Sequence, residues 1–156
     1  MVKVRAQGIA LEPAPGWEVR IRTRPADPAA PEGRPRAVLH AATVPLPDDR
    51  GDFGGGVTPL LGPDDVLVTL FEYEPAASAT ALFATRGRPT PLPPDFSPRQ
   101  LQRTIPGQSG RQWFFREGGR AFCLYIVLGS HARRAALVRR AADLLATLDL
   151  DPGAGS

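Results

Sequence analysis

RQWFFREGGRAFCLYIVLG, residues 111–129, decides how this chain folds. Two apolar runs meet at Gly118-Gly119. Adjacent glycines take up positive φ at no steric cost, so the stretch predicts a β-hairpin with a two-residue turn. That turn pairs Glu117 with Arg120. Counting back sets Phe115 opposite Phe122, Phe114 opposite Cys123 and Trp113 opposite Leu124. Apolar then faces apolar in these three pairs, each contributing roughly 0.2–1 kcal/mol. The longest apolar run of the chain, Ala121–Leu128, has the length of a strand and not of a membrane span.

Beyond the hairpin, Ser130 is placed to cap a helix. Leu137, Val138, Ala141, Leu144, Leu145 and Leu148 recur at helical spacing and form one apolar stripe, with Arg133, Arg140, Asp143 and Thr147 on the outer side. The pattern predicts a closing helix between Ser130 and Leu150, of about 18 residues and roughly 27 Å. Pro152 and Gly153 stand past its end.

Upstream the signals are extended. VKVRAQGIALEP reads as a strand, a bend near Gly8 and a second strand. In PGWEVRIRTRP, Trp17, Val19 and Ile21 share one face and Glu18, Arg20 and Arg22 the other, the alternation of a strand with one side in a core. Ala37–Val44 is a further strand. DDVLVTLFEYEP, 64–75, is apolar on both sides and predicts an interior strand. AASATALFATRG favours a short helix through its alanines, although Thr80, Leu82 and Ala84 would also line one face of a strand; Ser97-Pro98 is placed to cap a single turn, while RQLQRT, 99–104, reads equally as extended. The segment 25–35 is a polar, proline-rich loop. Residues 151–156 are expected to be an unstructured tail behind one domain, 1–150.

Composition bounds the function classes. A chain of 156 residues is one domain of ordinary size. Its 18 prolines and 16 glycines imply many turns and irregular connections. One cysteine excludes an internal disulfide framework. The N-terminal stretch holds no apolar run of signal-peptide or membrane-span length, so the expectation is a soluble, cytoplasmic protein without a membrane span. Net charge is +3, and Lys3 is the one lysine among 19 basic residues. Such arginine usage, with abundant alanine, proline and glycine, reads as a GC-rich genome before it reads as a nucleic-acid site. Arg20, Arg22 and Arg24 make a stripe and Arg133, Arg134, Arg139 and Arg140 a cluster, but 16 acids dilute the field. Aromatics interleave with basics in RQWFFR alone.

Chemistry-bearing motifs are sparse. Cys123 sits mid-strand among apolar neighbours, where burial raises a thiol pKa and makes it inert. Ser130 and His131 adjoin at a strand–helix junction, which does not aim one side chain at the other as a nucleophile–base pair requires. His40, His131, Cys123 and the scattered acids stand in no metal-ligand spacing. GDFGGG, 51–56, lacks the Gly-Lys-Ser/Thr continuation and the directly following helix of a phosphate loop. No catalytic residue, metal or cofactor is therefore expected.

GIALEPAPGWEV at one end and GRAFCLYIVLGSHARRAALVRRAADLLATLDL at the other form a pattern. An early strand runs into Pro15-Gly16-Trp17, and a Gly-Arg turn, an apolar strand and one helix close the chain. This resembles the Mog1/PsbP-like superfamily, with its actinobacterial lipoprotein domains and DcrB-like proteins, and as a whole it resembles short actinobacterial proteins. The resemblance implies a curved antiparallel sheet flanked by helices and a function in binding rather than catalysis. The chain departs from the lipoprotein members in lacking a signal and a lipobox cysteine.

The fold expected is α+β: an antiparallel sheet of five to seven strands with the C-terminal helix packed on one face. The expected function is a non-enzymatic protein-interaction or adaptor module, an assembly or chaperone-like accessory, binding through whatever sheet face or edge the helix leaves uncovered. Arg20, Arg22, Trp113 and Tyr125 are the candidate interaction surface. The alternative is a small-ligand-binding protein or enzyme with a pocket at His40, and a third reading is self-assembly into a homo-oligomer.

Overall fold

The structure, a computed structural model, describes residues 3–24 and 36–151. The expected loop at 25–35 and the tail from 152 onward lie outside the described residues. Eight strands form two antiparallel sheets, joined by one α-helix among the described residues, α1 (Arg134–Leu145). The larger sheet contains β3 (Glu18–Arg24), β4 (Arg36–Ala42), β5 (Val66–Tyr73), β6 (Ser109–Glu117) and β7 (Arg120–Leu128), in the order β3-β4-β5-β7-β6. The smaller contains β1 (Val4–Ala6), β2 (Ile9–Leu11) and β8 (Asp149–Leu150), in the order β1-β2-β8.

The β6–β7 hairpin has the register expected of a two-residue turn, with Glu117 opposite Arg120, Phe115 opposite Phe122, Phe114 opposite Cys123 and Trp113 opposite Leu124. Gly118 and Gly119 have φ of 61° and 76°, which only glycine adopts freely at two successive positions. β7 is buried along its whole length between β5 and β6, and β5 is likewise interior, between β4 and β7. Their unbroken apolar sequences follow from cover on both faces.

One face packs Val66, Val68, Leu70, Phe122, Leu124 and Ile126 in a single core with Leu137, Val138, Ala141, Leu144 and Leu145 of α1 and with Ile9 and Leu11 of the small sheet. Trp17, Val19 and Ile21 border it, as their alternation requires. The other face packs Leu67, Phe71, Cys123, Tyr125 and Val127 beneath Leu46, Val57 and Leu61 of the 43–62 connection.

Three expectations are corrected. First, the closing helix is shorter than its apolar stripe. Ser130 accepts from the Arg133 N–H at 3.3 Å in a turn that precedes α1, while the His131 N–H is held by the Gly107 carbonyl at 2.7 Å. At the far end Thr147 Oγ1 donates to the Leu144 carbonyl, 2.8 Å, and accepts from the Glu12 N–H, 3.0 Å. The chain then leaves the helix to pair Leu150 with Ile9. Strand pairing wins over helix continuation because β2 offers an open edge there. Second, α1 is the one α-helix beside the sheets among the described residues, and the other helical segments are short 3-10 turns. The alanine-rich segment makes two single helical turns, Pro75–Ala79 and Ala81–Phe83. A further turn, Thr58–Leu60, opens shortly after GDFGGG, where none was expected. Third, Asp151, placed in the tail, is tied down through its N–H to the Gly8 carbonyl at 2.9 Å.

A buried arginine joins the two sheets. Arg120, 2% exposed, spends its five N–H donors on five acceptors. Nε and Nη2 grip both carboxylate oxygens of Glu72 at 2.9 Å each. Nη1 reaches the carbonyls of Gly8 (3.0 Å) and Asp151 (3.2 Å), and Nη2 reaches Gln7 (3.1 Å). The β1–β2 turn and the start of the tail are thereby pinned to the centre of the large sheet.

Candidate functional site: the open edge of β6

The residues singled out from sequence do not share one surface. The register aligns Arg20, His40, Thr69, Tyr125 and Gln112 in one row across the sheet, all on the face beneath the 43–62 connection. Arg20 is exposed and pairs with Glu18 at 2.9 Å, and Arg22 pairs with Asp52. Tyr125 is 2% exposed, and its hydroxyl accepts the Gln102 N–H at 2.7 Å, so it is core and not contact surface. Trp113, one residue out of that phase, points to the opposite face. There it lies half-buried, edge-on to Phe96 at 5.8 Å, with the Arg111 guanidinium 5.1 Å from its ring.

His40 does not front a pocket either, since it has no exposed surface. Its Nδ1 accepts from Arg50 Nε at 2.8 Å, which leaves the proton on Nε2 to donate to the Asp52 carbonyl at 2.9 Å. Burial, with the Arg50 and Arg22 charges adding to it against the Asp52 bond, pushes its pKa down to about 4. A neutral imidazole with both nitrogens engaged fastens the 50–52 loop to the sheet. Burial alone pushes the Cys123 thiol up to about 12. Among the described residues no three His, Cys, Asp or Glu side chains converge as metal ligands would, and no helix is long and apolar enough to cross a membrane.

What the structure does build is a cleft along the outer edge of β6. Even-numbered residues of β6 turn their main-chain groups away from β7. At one end the Arg116 N–H bonds the Thr85 carbonyl (2.9 Å) and the Arg116 carbonyl accepts from the Gly87 N–H (2.8 Å). At the other end Gly110 and Ser97 exchange a pair of bonds at 3.0 and 3.1 Å. Strand alternation turns the main chain of Gln112 and Phe114, which lie between, to the same side. The Gln112 carbonyl is taken by Arg111 Nη1 at 3.0 Å. The Gln112 N–H and both main-chain groups of Phe114 have no partner on that side among the described residues. The interval from Gly110 to Arg116 is about 20 Å of strand.

A cavity of about 360 Å³ opens on this interval, lined among others by Leu82, Thr85, Arg86, Arg88, Gln112 and Trp113. Leu82 is 57% exposed and is one of two large apolar side chains left so open among the described residues. A neighbouring cavity of about 410 Å³ lies between Arg86, Arg116, Glu117 and the hairpin glycines. Arg88 grips the Glu117 carboxylate through Nε at 3.1 Å and through Nη2, and donates from Nη1 to the Leu148 carbonyl. Arg111 pairs with Asp95 at 3.2 Å. Arg86 is exposed and joins no ion pair among the described residues, and Arg116 reaches only the Ser78 carbonyl, at 3.3 Å.

Comparison with family models, with curated proteins and with solved structures gave no match to this chain.

Sequence reading did not find Leu82, Arg86, Gln112 or Phe114 as a site. One signal pointed their way: RQWFFR interleaves arginine with aromatics. Which strand of a hairpin forms the sheet edge is set by long-range pairing of β7 with β5; the mark it leaves is the unbroken apolar run of β7 against the mixed sequence SGRQWFFRE of β6.

Proposed function

We propose that this chain is a non-enzymatic protein-interaction module, an adaptor or assembly accessory of an actinobacterial cytoplasm, that binds an extended segment of a partner by adding it as a strand to the edge of β6. The observation that carries this reading is the bracketed gap. Main-chain bonds close the edge at Gly110 and at Arg116 and leave Gln112 and Phe114 open between them. An added strand gains main-chain hydrogen bonds there, and its alternate side chains reach the cleft walls at Leu82 and Trp113. The resemblance to the Mog1/PsbP-like superfamily belongs with this proposal, because binding is the habit of that fold; likeness of fold is an association and not a mechanism.

The other edge of the sheet supports the choice. On β3, Arg20, Arg22 and Arg24 follow one another at every second residue, a charge row of the kind that discourages strand addition.

The test uses random heptapeptides displayed on phage, selected on the full chain and then titrated as synthetic peptides. Binding should move the amide resonances of Gln112 and Phe114 more than those of β3. Gln112→Pro removes an edge donor that the β6–β7 ladder does not use, so the fold should survive and binding should be lost. Selected peptides that still bind Gln112→Pro at full affinity would refute strand addition. Light scattering reads the competing occupant: a dimer that Gln112→Pro dissolves would put a second copy of the chain on this edge in place of a foreign segment.

A further inference from the structure

The strand-addition reading leaves the chemistry of the partner open, and a feature at one end of the gap narrows it. Arg86 and Arg116 are bridge partners in parallel pairing, which sets their Cα atoms about 5 Å apart. Like charges directly opposite one another across strands are unfavourable. Elsewhere at this cleft each guanidinium has its carboxylate: Arg88 has Glu117 and Arg111 has Asp95. Arg86 and Arg116 have none among the described residues, yet they stand at the mouth of the same cavity. Both main chains are fixed there by the Thr85 and Gly87 bonds, so the two side chains leave neighbouring backbone positions at the point where an added strand would begin, with Arg116 reaching the Ser78 carbonyl.

Resting on that reading, we infer that Arg86 and Arg116 form the anchor for a carboxylate side chain, and that the segment captured on β6 is an extended peptide with a glutamate or aspartate at the Arg116 end. Two guanidinium forks match a carboxylate bidentately and relieve their own repulsion in doing so. A single negative charge suits the place better than a phosphate, because Glu117 lines the same cavity and would oppose a doubly charged group. The apolar wall at Leu82 takes a neighbouring side chain of the same segment.

The experiment takes the heptapeptides selected on the full chain, without bias in composition, and measures them by fluorescence anisotropy. An acidic residue should be enriched at one fixed position. Changing it to glutamine should weaken binding about tenfold, the usual worth of one charge-assisted pair. Arg86→Gln and Arg116→Gln should each erase that preference while retaining the residual affinity of the glutamine peptide. Arg86 is exposed, so its variant should unfold at the temperature of the parent. Peptides that Gln112→Pro abolishes, but that show no acidic position and bind Arg86→Gln equally well, would overturn the carboxylate anchor and leave strand addition standing. Peptides unaffected by Gln112→Pro, or no selected binder at all, would overturn both. Tighter binding when phosphoserine replaces the acidic residue would overturn the choice of a carboxylate.

Discussion

Replacing Arg120 by methionine should cost this protein most of its stability. Its five donors satisfy a buried carboxylate and three main-chain carbonyls. Breaking a buried ion pair by removing one partner costs about 3–5 kcal/mol, and a buried carbonyl left without a donor adds about 1–3 kcal/mol unless water reaches it. The carboxylate of Glu72 keeps the Ala37 N–H at 3.0 Å and Arg36 at 3.8 Å, which holds the first figure toward its lower end. A loss of about 5 kcal/mol is comparable to the whole stability of a small domain. The double variant Glu72→Leu with Arg120→Met separates the two contributions. Were the pair alone at stake, the double variant would recover nearly everything, as apolar replacements of buried pairs often do. Because the carbonyls of Gln7, Gly8 and Asp151 then lack a donor, and the Ala37 N–H and Arg36 lose their Glu72 contacts, it should recover only part and remain about 2 kcal/mol below the parent. Guanidinium chloride unfolding measures the parent and both variants. Limited proteolysis adds a local readout, since the N-terminal hairpin and the end of β8 should be cut first in Arg120→Met. A single variant within 1 kcal/mol of the parent, or a double variant of full stability, would show that Arg120 does not fasten the sheets together.

Three further outcomes follow from residues already described. Cys123→Ala should cost about 1 kcal/mol, a typical value for a point change in a core, and the native thiol should resist a bulky maleimide until the chain unfolds; rapid labelling of folded protein contradicts its burial. Leu144→Asp, which puts an unpaired charge where 3% of the side chain is exposed, should abolish folding by circular dichroism; normal thermal unfolding would mean that α1 is not docked. His40 titrates at about 4 when folded and near 6.5 when unfolded. A pKa depressed by folding stabilises above the unfolded value, and the gain is lost as pH falls through the folded one. The parent should therefore lose up to about 3 kcal/mol between pH 7 and pH 4 from this group, and His40→Gln, compared at the same two pH values, should show that much less slope; equal slopes would refute the neutral, clamped imidazole.

The parts of the fold legible in the sequence are those whose information is local. Gly118-Gly119 dictates a two-residue turn, the turn dictates the register, and alternation around Trp17 dictates which face β3 buries. The helix was legible in its face but not in its ends. Leu148 continues the apolar phase of α1, yet it belongs to a turn, because the pairing of Asp149 and Leu150 with β2 depends on a strand some 140 positions away. The same holds for the site. Tyr125 lies in the unbroken apolar run of β7 and Trp113 in the mixed run of β6, which separates interior from edge, but neither run shows that Gln102 seals the Tyr125 hydroxyl or that a cleft opens beside Trp113. His40 read as a pocket residue because its partners, Arg50 and Asp52, come from a glycine-rich loop whose docking has no periodic signature.

Arginine makes the point physically. Eighteen of the side chains in this sequence carry the same guanidinium, and composition treats them alike. Arg120 is buried with every donor spent, and its charge is part of the architecture. Arg133 pairs with Asp64, and Arg140 donates to the Asp64 carbonyl and lies 5.9 Å from the Trp17 ring, so two of the basic residues clustered on the last helix are committed at the surface. Arg22 is committed to Asp52. What separates Arg86 and Arg116 from these is not their number or their exposure but the absence, among the described residues, of an ion pair at two arginines that the main chain sets at bridged positions. A cation whose neighbours already satisfy it contributes solubility or structure; a cation held next to another, without an anion, raises the free energy of the empty cleft and lowers the cost of filling it. That difference, and not the basic composition, is the reason to look for an acidic partner at the edge of β6.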